Sequence, residues 1–168
     1  NGKNLTITCN LDNFNLTPDS VPVLFDGNEV IDRPFFINNE KYLITCISFS
    51  EPHCVFFTNK MSEDRFTEVC EILETNPLFP KKTNIEAVKI IDDKRIEIRT
   101  WKLGIGEIIS YGNGACASAA AAVLSGKFCV NTDILVRQRG GNLIVNCNGK
   151  SLFLTAKAEF IFTGYMNV

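Results

Sequence analysis

From Ile108 to Gly126 the chain carries no charged side chain, and its centre reads ACASAAAAVL from Ala115 to Leu124. Alanine has the highest helix propensity, so this stretch predicts a helix over 115–124, stopped by Gly126. A surface helix needs a polar face, and this one has none. At about ten residues it spans roughly 15 Å, which is too short to cross a bilayer. It must therefore be buried in protein. Alanine is also thin, so neighbouring backbone can approach such a rod from every side.

The rest of the chain supplies strands to surround it. LTIT (5–8), KYLITCISF (41–49) and HCVFF (53–57) are β-rich runs bounded by polar or proline-containing breaks. EAVKII and RIEIRTW flank Asp92-Asp93-Lys94, where the two carboxylates read as solvated turn chemistry. ILVRQ and LIVNC flank Gly140-Gly141-Asn142, and LIVNC and SLFLT flank Asn148-Gly149, a strong hairpin signal. Successive antiparallel hairpins are expected. A second helix is predicted over 62–76, with Ser62 as N-cap and Phe66, Val69, Cys70 and Leu73 on one apolar face. The predicted fold is α+β: one domain over residues 1–168, an antiparallel, barrel-like sheet wrapped around one central helix, with a second helix outside.

Composition narrows the partners. With 17 basic and 19 acidic side chains and a net charge of −2, the chain shows neither a basic footprint for nucleic acid nor an acidic tail, so a small-molecule or protein partner is expected rather than nucleic acid or a membrane. Its seven cysteines are odd in number and widely spaced, without a C-x-x-C, so neither a disulfide framework nor a metal site is expected. Two N-x-T patterns, at Asn4 and Asn15, matter only in a secreted protein, and no charged-then-apolar leader appears. Reduced thiols in the cytoplasm are the expectation. The start at Asn1 rather than Met suggests a piece of a longer product.

The turn before the alanine helix, Gly112-Asn113-Gly114, is where chemistry is expected. Helix N-terminal amides lack partners within the helix and, with the dipole, attract a carboxylate or phosphate, while glycines leave those amides accessible. Asn113 as a plain N-cap is the alternative. Cys116, in the first turn, is either a dipole-activated thiolate or a small core residue. His53, the chain's single histidine, is either an acid/base group or a structural residue at a strand edge.

EPHCVFF, FPKKTNIEAV, RTWKLGIGEIISYGNGACASAAAA, RQRGGNLIV and AEFIFTGYM follow in order and spacing the C-terminal half of diaminopimelate epimerase, and the chain resembles that family over nearly its whole length. The resemblance implies a cofactor-independent isomerase that needs no pyridoxal phosphate. Such an enzyme interconverts the L,L and meso forms of diaminopimelate in lysine biosynthesis, between two similar domains. It also implies that an amino-acid-like carboxylate sits at the central helix N-termini, and that one cysteine per domain handles the α-proton.

Carried over residue by residue, the resemblance makes Asn84, Gly112 and Asn113 substrate-binding and keeps His53, Glu107 and the glycines of GIGE. Other positions depart from the pattern. Tyr111 stands where the catalytic cysteine is implied, Lys102-Leu103 replaces an acid-arginine pair, and Glu51 replaces an asparagine. Cys116 matches the motif's non-catalytic cysteine. Two readings follow. One is half of an epimerase, inactive without an N-terminal domain or partner chain. The other is a diverged, non-catalytic binding or assembly module, a pseudoenzyme, that keeps the fold and an anion site. Where the partner domain is absent, the face around Gly112, Tyr111 and Asn84 is expected to be exposed and to be covered by self-association as a homodimer.

Overall fold

A computed structural model describes residues 5–59 and 62–166. Of the two N-x-T patterns, the one at Asn4 lies outside these residues.

The alanine stretch forms a helix, α2 (Gly112–Leu124), in which every residue from Gly114 to Val123 is buried. It begins three residues before the predicted start, because Gly112 and Asn113 already have helical backbone and the extended Tyr111 is the N-cap. At the other end Gly126 adopts φ +67°. Its amide bonds the Val123 carbonyl at 3.0 Å, and that of Lys127 bonds Ala122 at 2.9 Å. This left-handed closing turn satisfies the last carbonyls and is open to glycine.

Around α2 curls a mixed sheet ordered β1 (Leu5–Asn13), β10 (Ser151–Ala158), β9 (Gly141–Cys147), β8 (Asp133–Gln138), β6 (Arg95–Lys102), β5 (Asn84–Ile90), β4 (Pro52–Phe57), β3 (Glu40–Ser48) and β2 (Arg33–Ile37), with β7 (Gly106–Ile108) paired to β6. The predicted hairpins β5–β6, β8–β9 and β9–β10 are antiparallel. Two pairings, β4–β5 and β6–β8, are parallel instead. Each is bridged by a helical crossover, α1 (Glu63–Glu74) for the first and α2 for the second, and parallel neighbours require such a crossover. The sheet does not close. Its two ends are drawn together where Asn15, just after β1, exchanges backbone hydrogen bonds of 2.6 and 2.9 Å with Ser48 at the end of β3.

The two faces of the sheet bury different things. Val55, Val88, Ile96, Ile98, Ile134, Val136 and Val145 pack inward on the alanines of α2. On the other face Phe66, Val69, Cys70 and Leu73 of α1 cover Ile85, Ala87, Cys54 and Phe56. The predicted apolar face of α1 is thus the buried one. Edge strand β2 went unpredicted because Pro34 interrupts it. An edge tolerates proline, and the turn Asn38-Asn39, with φ +49° and +65°, reverses the chain into β3. No helix among the described residues is long and apolar enough to cross a membrane.

Candidate functional site

The inner face of the sheet changes character along its length. Over the body of α2 it is apolar; at the helix N-terminus it presents His53, Asn84, Glu86, Thr100 and Lys102 from three adjacent strands. These meet Tyr111 and Glu51, which lie on either side in the turns that precede α2 and β4.

Four of the sequence-predicted side chains form one network. Lys102 Nζ lies 2.7 Å from the Tyr111 phenol and 3.0 and 3.2 Å from the two Glu51 oxygens. The phenol donates to Glu51 Oε2. Asn84 donates to Glu51 Oε2 at 3.3 Å and to the Pro52 carbonyl at 3.2 Å, and accepts from the Leu103 amide at 3.1 Å. Leu103 therefore joins through its backbone. Asn113 reaches Ser50 Oγ at 2.8 Å and clamps the β3–β4 turn to the first turn of α2, so its side chain does not cap the helix.

The first helical bond runs from the Ala115 amide to the Tyr111 carbonyl at 3.0 Å, which leaves the amides of Gly112, Asn113 and Gly114 without partners in the helix. Ile109, two residues before the N-cap, and Ile105, in the turn between β6 and β7, are exposed.

His53 is not at a strand edge. It lies in β4, between β3 and β5, fully buried, with its ring stacked on Phe49 at 5.2 Å and 6.0 Å from the Tyr111 ring. Its Nδ1 pairs at 3.0 Å with Glu86 Oε1, and Glu86 is equally buried. Burial pushes the Glu86 carboxyl above the ordinary carboxylate range, against the pull of His53. Glu86 was missed in the sequence. The available signal was a lone carboxylate in the otherwise apolar strand IEAV, at an inward position of the alternation.

Cys116 is buried, and desolvation raises its thiol to about 12, so it packs as a core residue and its burial argues against a dipole-activated thiolate. Glu107 of the GIGE motif holds Arg99 through two bonds of 2.7 Å, and Arg99 lies over the Phe66 ring at 4.1 Å. Its role here is to brace β6 and β7. Gln138, also missed, accepts the Tyr111 amide at 2.7 Å and so positions the N-cap. No group of His, Cys, Asp and Glu arranged to hold a metal occurs among the described residues.

The family model for diaminopimelate epimerase matches residues 45–161, which contain every residue of this site. The chain belongs to the diaminopimelate epimerase family. Relatives in the family include the diaminopimelate epimerases of Methanococcus maripaludis, 32% identical over 100% of this chain and 61% of its own length, and of Leptospira biflexa, 33% identical over 100% and 60%. The chain thus spans about three-fifths of the length of these relatives. Among solved structures, a hydroxyproline epimerase from Agrobacterium vitis superposes with a TM-score of 0.64 at 12% identity, over 94% of this chain and 50% of its own. A predicted epimerase from Pseudomonas aeruginosa gives 0.53 at 17% identity, over 94% and 59%. At these identities the likeness is one of fold, and it is the epimerase fold that wraps α2.

Proposed function

We propose that this chain is a half-site of the epimerase family that binds an amino-acid-like carboxylate, such as that of diaminopimelate, at the first turn of α2 but supplies no proton-transferring thiol. The observation that carries this reading is the Tyr111 phenol held between Glu51 and Lys102, at the position where the family resemblance implies a cysteine. A phenol starts about 1.5 pKa units above a thiol, roughly 2 kcal/mol further from serving as base at neutral pH. The free amides of Gly112, Asn113 and Gly114 remain suited to a carboxylate.

In this account all three departures act together. Glu51 and Lys102 satisfy each other and the phenol, and the network fills the space where a substrate's polar groups would be gripped. A further domain, or a second copy, covers the exposed Ile105 and Ile109. The lysine-biosynthetic reaction, if the gene product performs it, then needs a base from elsewhere.

Amide resonances of Gly112–Gly114 test the binding half of the proposal. They shift on titration with diaminopimelate if the turn is a carboxylate site, and stay fixed if it is only a structural turn.

A further inference from the structure

Glu86 lies directly against the helix terminus that the carboxylate is proposed to occupy. A methyl group on Gly114, the third residue of α2, would come within 2.8 Å of Glu86 Oε1 and 3.0 Å of Thr100 Oγ1. Only the missing side chain lets the acid approach so closely. Glu86 Oε2, His53 Nε2 and Thr100 Oγ1 are buried and find no hydrogen-bond partner among the described residues. Burial works against an ionised Glu86, while the neighbouring His53 and the positive end of α2 favour it; where Glu86 is ionised in the free protein, His53 donates to it from Nδ1 and Nε2 is left as an acceptor. A ligand carboxylate at the same turn adds a second negative charge beside the buried Glu86, and a like charge close by disfavours the ionised form of a buried carboxyl.

We infer that binding of a carboxylate at the first turn of α2 is coupled to uptake of one proton from solvent by the His53–Glu86 pair, which turns His53 Nε2 from acceptor to donor. Glu86 is then a positioning residue of the site, acting through His53. The inference rests on the reading of the α2 turn as a carboxylate site. Whether the proton settles on the carboxyl, which then donates to Nδ1, or on the imidazole, Nε2 carries hydrogen in the bound state.

The other groups around Glu86 leave this proton to the pair. Glu51 in the β3–β4 turn is matched by Lys102 of β6 and the Tyr111 phenol. Cys54 of β4 and Cys70 of α1 feel the Glu86 charge from the far face of the sheet. Both stay protonated: a hydrogen bond with Cys46 and burial raise the first thiol, and burial raises the second.

Because the chain has a single histidine, imidazole nitrogen resonances report this site without overlap. The test is titration of the [¹⁵N]histidine-labelled chain with diaminopimelate at neutral pH, with calorimetry in two buffers of different ionisation enthalpy. The expected result is a shift of the Gly112–Gly114 amides, protonation of Nε2 and uptake approaching one proton. Affinity falls by up to about tenfold per pH unit where free Glu86 is ionised. In Glu86→Gln the amides still shift, but uptake and pH dependence vanish. Shifted amides with an unchanged Nε2 and no uptake would overturn this inference alone; unmoved amides would overturn it together with the carboxylate site. The wild-type measurement decides even if Glu86→Gln fails to fold.

Discussion

Lys102 Nζ lies 2.7 Å from the phenolic oxygen of Tyr111, and both contact the carboxylate of Glu51. Three of the positions at which the sequence departs from the family resemblance, Tyr111, Lys102 and Glu51, are therefore neighbours, and each supplies what another needs. All three are partly exposed to water. Lys102 is 25% and Glu51 42% exposed, so solvent screens the pair and its worth in stability is small. Replacing Lys102 with Gln should cost about 1 kcal/mol or less in urea denaturation. A loss of several kcal/mol would mark the network as a structural keystone, contrary to this account.

Gly114→Ala should behave differently. Its new methyl group meets Glu86, Thr100 and the Tyr111 ring at 2.8, 3.0 and 3.0 Å. The cost of such overpacking is about 1–3 kcal/mol, although alanine is the better helix former. The same denaturation measurement checks it; an unchanged or raised midpoint would show that Glu86 is free to move aside.

How much of this was legible beforehand depended on what each residue touches. The buried helix was readable because freedom from charge on every side leaves no other place for α2. The face of α1 was readable because its pattern is local. The parallel pairings were hidden, since they depend on which strands a crossover brings together rather than on any strand's own sequence. Asn84, Glu51, Lys102 and Tyr111 were found through motif order and do converge. The partner of His53 was not found: Glu86 is 33 positions away, and nothing in EAVKII shows that the sheet aims it at a helix end.

Glu86 should leave its mark on stability against pH. Burial raises its carboxyl above the unfolded value. The folded state therefore holds more protons than the unfolded state in the window between the two values. Its contribution is fully present below the ordinary glutamate range, at about pH 4.3, and is lost as pH rises through the raised value. Wild-type stability minus that of Glu86→Gln should accordingly decline across this window. A difference that is flat with pH, or that grows, would contradict the direction of the shift.

Thiol reactivity separates the core cysteines from the surface ones. Cys9 and Cys129 are exposed, whereas Cys46, Cys54, Cys70, Cys116 and Cys147 are buried. Under native conditions an aromatic disulfide reagent should label Cys9 and Cys129 quickly and the remainder only on unfolding. Rapid labelling of Cys116, identified by peptide mass, would restore the activated-thiolate reading that its burial argues against.

The claim that this half-site binds without supplying a base is tested most directly by α-proton exchange. The chain is joined to the N-terminal domain of the Methanococcus maripaludis relative and incubated with diaminopimelate in deuterated water, as the wild type, Tyr111→Phe and Tyr111→Cys. The account predicts no deuterium at the α-carbon with tyrosine or phenylalanine. Exchange should appear only with Tyr111→Cys, alone or with Lys102 and Leu103 changed to an acid-arginine pair. Exchange by the wild type that is lost in Tyr111→Phe would show that the phenol itself moves the proton, and would contradict the account.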